Sequence, residues 1–297
     1  MSHATAYRRA RTSPWLVARE AFATARLMLS PRRDRAAAVY DILAAHNNLG
    51  RDTLYLNMGY WREAASYDQA CEALAVLLAE RAGFAAGDRV VDAGFGYGDQ
   101  DLLWADRYQV SIAGFNVNGA QVEVARDRAE RAGLAERIAL FARSALDTGL
   151  DDGWADRVVA LESAFHFPDR RRFFAEAARL LRPGGTIVLA DLVVNGEGSR
   201  RIVDRVGRAV AGRFWQIPRE NLIGAAAYQR QLEDAGFTDV TVDDVSQHVF
   251  APFGEHARRR QAEPDVAARA NPLLRAVWRA PSATRVFDYV VVRGVRA

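Results

Sequence analysis

Val90-Val91-Asp92-Ala93-Gly94-Phe95-Gly96-Tyr97-Gly98-Asp99 is the stretch that decides the fold. An apolar strand runs into an acid, and glycines then recur at every second position. The backbone must turn sharply there and let a ligand come close, which side chains would prevent. A dinucleotide fingerprint would read G-x-G-x-x-G and open a helix that grips pyrophosphate. Here Asp99 stands in the place of the third glycine, and an anion at a helix N-terminus is the wrong partner for a pyrophosphate. The spacing D-x-G-x-G-x-G suits instead a ligand with a positive charge and no phosphates.

Outward from this turn the chain alternates between strands and helices. Ser66 and Gln69 form a capping box for a helix whose apolar stripe is Tyr67, Cys71, Leu74 and Leu78, with Gly83 as its stop. Strands are expected at Arg89–Asp92, Val110–Phe115, Arg137–Phe141, Arg157–Leu161, Thr186–Ala190, Thr238–Val242 and Val286–Val292. Helices are expected over Ala120–Ala132, Arg171–Leu181 and Tyr228–Ala235, the second stopped by Pro183-Gly184-Gly185. This alternation predicts an α/β fold, a parallel sheet covered on both faces. Residues 246–285 break the alternation and read as a helical cap inserted before the last strand.

The composition is ordinary for a globular chain: 297 residues, half of them hydrophobic and 26% charged. The 40 basic residues are all arginine, and the net charge of +3 does not suggest a nucleic-acid partner. Cys71 is the one cysteine, which excludes an intrachain disulfide and any zinc site built on two cysteines of this chain. The five histidines lie apart, without H-x-x-x-H or H-E-x-x-H spacing, so no metal is expected. Residues 1–35 hold eight arginines against Glu20 and Asp34, a local charge of +6. Charges at Arg19, Glu20 and Arg26 interrupt the apolar residues there, so no signal peptide or spanning helix is expected and the chain reads as cytoplasmic. The basic start packs on the main domain as a helical layer, or meets a membrane or an anionic substrate.

A sulfonium with an amino-acid tail, S-adenosylmethionine, meets the requirement of a cationic ligand without phosphates. With that, six stretches in order resemble the class I S-adenosylmethionine-dependent methyltransferases. They are Tyr55-Leu-Asn-Met-Gly-Tyr60-Trp61, the glycine motif itself, Gly114-Phe-Asn116-Val-Asn118-Gly-Ala-Gln121, Leu161-Glu162-Ser-Ala-Phe-His166-Phe-Pro-Asp169-Arg170, Leu181-Arg-Pro183-Gly184-Gly185, and Ala190-Asp191. Within that family the chain is most similar to the small-molecule branch, with its sterol, tocopherol and prenyl C-methyltransferases and natural-product sugar O-methyltransferases. The resemblance spans roughly residues 50–297. It implies a Rossmann-like sheet of seven strands, a helical lid over residues 1–60, and a methyltransferase domain over 61–297 with the cap insert at about 246–285.

The resemblance also implies the site. Asp92 would sit near the methionine end of the cofactor, and Gly94 and Gly96 would line it. Asn116 takes the place of the family's ribose-binding acid, with Gln121 nearby; an amide donates and accepts, more weakly than a carboxylate. Ser144-Ala145 stands where the family has Asp-Ala beside adenine. Tyr60 and Trp61 would close over the cofactor, an aromatic face beside a sulfonium, or else pack below the first helices.

Methyl transfer is an in-line displacement, for which the protein supplies alignment and, where needed, a base. His166 is a suitable base for a hydroxyl, and in the sugar O-methyltransferases such a histidine lies beside an acid at the position of Asp191. Asp191 could equally bond a loop at a strand end. Glu162 is the acid that would take a proton from a carbocation in C-methylation, or would hold the cofactor loop. Trp215, Phe214, Phe250, Phe253 and Trp278 suggest an apolar acceptor or are core. The expected function is methyl transfer to a small, largely apolar acceptor, O-methylation first and C-methylation of an isoprenoid or lipid-like molecule as the alternative. A methyltransferase-shaped binding module without turnover is a third reading, supported by Ser144 and Asn116.

Overall fold

Five strands of the computed structural model read as buried on both faces, and their side chains sort by parity onto two cores. The structure describes residues 47–195, 215–272 and 286–297, with the single positions 13, 15, 18, 19, 22, 212 and 275 besides. The lid expected over residues 1–60 falls largely outside the described residues, as do Phe214 and Trp278.

Ser66 caps the first described helix, α1 (Tyr67–Ala82), by accepting from Gln69 N–H, and Gly83 ends it. β1 (Arg89–Ala93) follows, then α2 (Asp99–Tyr108), β2 (Ser111–Phe115), α3 (Gly119–Arg131), β3 (Ile138–Phe141) and β4 (Ala155–Leu161). After a 3₁₀ turn at Ala164–His166 come α4 (Arg170–Leu180), β5 (Leu181–Val194), α5 (Ala225–Asp234) and β6 (Phe237–Asp244). The helices α6 (Phe250–Arg260) and α7 (Pro264–Arg269) stand before the last strand, β7 (Phe287–Arg296).

The sheet order is β3-β2-β1-β4-β5-β7-β6, with β1 to β5 parallel and β7 antiparallel to both its neighbours. Val90, Val159, Val188, Tyr289 and Val291 face one core with α1, α2 and α3; Cys71 lies there, fully buried. Val91, Val158, Ala160, Ile187 and Leu189 face the other with α4 and α5. The chain reverses its winding between β1 and β4, so a crevice opens beyond their carboxyl ends, where open α/β sheets bind ligands.

α4 ends at Leu180, three residues before the start of Pro183-Gly184-Gly185, where the stop was expected. Extended structure starts at Leu181, directly after α4, and the register jumps from Ala155↔Leu181 to Arg157↔Thr186, so the three residues form a bulge inside β5. The helices before β7 are tied to the first described stretch of chain. Arg260 Nε donates to Leu49 O at 3.1 Å, Arg269 Nη1 to Asn48 O at 2.6 Å, and Asn271 N–H to Asn47 Oδ1 at 2.8 Å.

Candidate active site

The glycine turn after β1 is shaped by two different needs. Gly94 has φ +96°, and a Cβ there would collide with the Cβ of Ser163, the residue after Glu162. Gly94 therefore lets β1 and β4 end side by side. Gly96 has φ +59°, and a Cβ there would meet only Leu56 Cδ1, at 3.5 Å. The absence of a side chain at Gly96 leaves room rather than relieving a clash.

Asp92 lies at the root of this turn, fully buried. Gln100 Nε2 donates to its Oδ2 at 2.9 Å and to Phe95 O at 3.0 Å, which closes the turn on the acid. Asp92 Oδ1 has no donor, and neither oxygen of Asp101 has one. The two buried carboxyls lie near enough for the charge on Asp92 to disfavour a second charge on Asp101. Burial pushes Asp92 up to about 6, and burial followed by the Asp92 charge pushes Asp101 well above the usual carboxylate range. Asp99 is spent elsewhere. Arg128 grips both its oxygens at 2.7 Å, and its Oδ1 accepts Leu54 N–H at 3.2 Å. It pins α2 to α3 and to the segment before Tyr55.

At the end of β2, Asn116 Nδ2 donates to Gln121 Oε1 at 2.9 Å and to Gly96 O at 3.2 Å. This leaves Gln121 Nε2 buried without a partner. Ser144 is half-buried and accepts Leu146 N–H at 3.2 Å, and Ala145 is buried in the second core. Tyr60 and Trp61 are both half-buried and are fixed by backbone bonds to Ala70 O and His248 O, each 2.8 Å. Trp61 Nε1 donates to Met58 O at 2.8 Å, and its ring stands 5.1 Å from that of His256 on α6. Phe250 is buried, and Trp215 and Phe253 pack against the same core, so the described aromatics of the later segments belong to its wall.

Glu162 breaks the pleat of β4 with φ +51°. Its Oε1 accepts two donors, Met58 N–H and Tyr289 O–H, each at 2.7 Å. Burial outweighs these bonds and lifts its pKa to about 7. Sequence reading missed Tyr289, although a phenol in the buried run Phe287–Val292 demands a polar partner. His166 ends the 3₁₀ turn after β4, half-buried, with Phe165 at 4.2 Å ring to ring and Nδ1 at 3.5 Å from Gln216 O. Burial lowers its pKa to about 4, so the imidazole is neutral at ordinary pH.

The expected pairing of His166 with Asp191 is not formed. Asp191 has the parity of Leu189 and Val193 and so points into the second core, under α4 and α5. Its oxygens take Leu192 N–H at 2.8 Å, Tyr228 O–H at 2.7 Å and Arg170 Nη1 at 3.2 Å, and both members of the ion pair are sealed from solvent. No acceptor can touch this carboxylate in the arrangement described.

The residues fit S-adenosylmethionine. Asp92 Oδ1 has no donor and suits a cationic group, the unpartnered Gln121 amide suits a hydroxyl, and a Cβ at Gly96 would meet only Leu56. Among the described residues no three His, Cys, Asp or Glu side chains gather as metal ligands. None of the described helices is long and apolar enough to cross a membrane.

A sequence family described as a methyltransferase domain matches residues 91–189. The erythromycin 3''-O-methyltransferase of Saccharopolyspora erythraea is 33% identical over 234 residues, 76% of this chain and 76% of that protein. Among solved structures, the [4+2]-cyclase SpnF superposes with a TM-score of 0.72 at 25% identity, over 90% of this chain and 97% of that one. The geranyl diphosphate C-methyltransferase of Streptomyces coelicolor, in complex with S-adenosyl-L-homocysteine, gives a TM-score of 0.68 at 20% identity. That overlay covers 91% of this chain and 99% of the other.

Proposed function

This chain belongs to the class I S-adenosylmethionine-dependent methyltransferases, and on that premise we propose that it methylates a hydroxyl of a small, largely apolar natural product, with His166 taking the proton. S-adenosylmethionine is its cofactor, and when bound it supplies an electrophilic methyl group on sulfonium. We place the methionine end by Asp92, Gly94 and Gly96, the ribose by Asn116 and Gln121, and the adenine by Ser144 and Ala145. Tyr60 and Trp61 then stand over the cofactor, held by the helices before β7. Residues 1–60 serve as the lid over the acceptor, and the basic start is where an anionic membrane surface would touch a cytoplasmic enzyme.

The observation that carries the reading is the place of His166 in the turn that follows β4, half-buried with Nδ1 3.5 Å from Gln216 O, where burial lowers its pKa and favours the neutral imidazole. A hydroxyl oxygen becomes an oxonium as the methyl group bonds to it, and an oxonium is acidic enough to protonate even a weakly basic imidazole. The base is therefore ready at neutral pH without having to lose a proton first. The relative that acts at a 3'' oxygen of erythromycin supports an oxygen acceptor here. Asp191, buried against Arg170, acts on this site only through other residues.

Glu162 favours a second reading. A carboxyl near neutrality, anchored by Oε1 on two donors, suits removal of a proton from a carbocation after C-methylation. Incubation of the full-length protein with methyl-labelled cofactor and a metabolite extract separates the two. O-methylation yields a labelled methoxy product and C-methylation a label bonded to carbon. Tight cofactor binding with no labelled product would favour a binding module.

A further inference from the structure

The 3₁₀ turn that carries His166 is three residues long, too short to satisfy its own carbonyls. Phe165 O and Phe167 O, one on each side of His166, both point at a single side chain. Asn221 Nδ2 donates to Phe167 O at 2.8 Å and to Phe165 O at 3.1 Å, and Asn221 is itself 3% exposed. The same segment reaches the ring of His166 from another side through Gln216 O, at 3.5 Å. Residues 216–221 thus grip this histidine by backbone and by imidazole together.

Asn221 is held in turn. Its own carbonyl accepts Arg170 Nη2 at 3.2 Å and Ile223 N–H at 2.9 Å. Arg170 lies 4.3 Å from the centre of the Tyr228 ring and pairs with Asp191. Both amide hydrogens of Asn221 are spent on His166's neighbours. An alanine would leave two buried carbonyls without donors, and an aspartate would set a carboxylate against them.

We propose that Asn221 is the positioning residue of the site, fixing His166 in place by bridging the carbonyls on either side of it, with the buried Asp191–Arg170 pair acting only as its anchor. This rests on the reading of His166 as the base, but the two can fail separately. Asn221 does not touch the acceptor, so its effect is read first on the imidazole. The full-length protein is saturated with S-adenosylhomocysteine, and the His166 ring is followed by NMR against pH, with His166→Gln providing the assignment.

Asn221→Ala should raise the His166 pKa by a unit or more toward that of a solvated histidine, because the loosened turn admits water. Affinity for S-adenosylhomocysteine should change less than about twofold by calorimetry. Asn221→Ser, which keeps one donor, should give an intermediate shift and serves should the alanine variant not fold. Tyr228→Phe removes a different bond from the same buried network and should leave the imidazole titration where it was. An unmoved His166 titration in Asn221→Ala or Asn221→Ser would overturn the proposal, as would an equal shift in Tyr228→Phe. If Asn221 shifts the titration as expected while His166→Ala still transfers methyl groups at the normal rate, positioning stands and the base assignment falls.

Discussion

Arg170→Met should unfold this protein far more readily than any change at its surface. Arg170 and Asp191 are an ion pair with neither side chain exposed. Removing one partner of a buried pair typically costs about 3–5 kcal/mol, because the other charge stays desolvated. Arg170 also covers the Tyr228 ring and supports Asn221, so the loss belongs at the upper end of that range. Burial already raises the Asp191 pKa, with Arg170 the largest influence opposing it. Without the guanidinium the carboxyl rises further and takes a proton in the folded state. The folded protein then binds more protons than the unfolded one, so the variant's stability is greatest at acid pH and falls as pH rises. Urea denaturation followed by tryptophan fluorescence, at several pH values, measures both effects. The double variant Arg170→Met/Asp191→Leu should recover most of the loss, since neither charge remains. A single variant within 1 kcal/mol of the parent, or a double variant as unstable as the single one, would refute a structural role for the pair.

Three further outcomes follow from the same geometry. Tyr289→Phe removes a donor worth about 1.5–3 kcal/mol to the ionised Glu162, so the Glu162 titration near 7 should move upward by roughly one to two units in carboxyl infrared difference spectra; an unmoved titration would detach Tyr289 from Glu162. Asp101→Asn removes one of two neighbouring buried carboxyls whose pKa values burial raises. Raised carboxyls make the parent lose stability as pH climbs from the ordinary carboxylate range through about 6, and the variant should flatten that slope in urea titrations of the cofactor-free protein. Gly94→Ala should cost several times more stability than Gly96→Ala, on account of Ser163, whereas Gly96→Ala should fold and lose at least tenfold in S-adenosylhomocysteine affinity by calorimetry.

The sheet was legible because its side chains alternate between two apolar cores, and the site because glycines at fixed intervals cannot be explained by packing alone. Asp191 shows where reading stopped. Its neighbours Leu189 and Val193 are core residues of one parity, which already turned its side chain away from the crevice. What paired with it, Arg170 and Tyr228, sits 21 positions before and 37 after it, and no local pattern links them. Asn221 was invisible for a stronger reason: its partners are backbone carbonyls, which leave no mark in a sequence. Pro183-Gly184-Gly185 ends α4 as its residues imply, but the bulge it forms in β5 was not legible, because the same residues that end a helix also interrupt a strand. Tyr289 could have been found, since a phenol among valines in a buried strand needs an acceptor.

The most direct test of O-methylation with His166 as the base is a comparison of His166→Ala with Glu162→Gln, using methyl-labelled cofactor and the acceptor isolated by the labelling experiment. A base at His166 predicts a labelled methoxy product, a fall in turnover of roughly 10²–10⁴-fold in His166→Ala with cofactor affinity intact, and a milder loss in Glu162→Gln. A label bonded to carbon, with Glu162→Gln abolishing product and His166→Ala nearly silent, would contradict it.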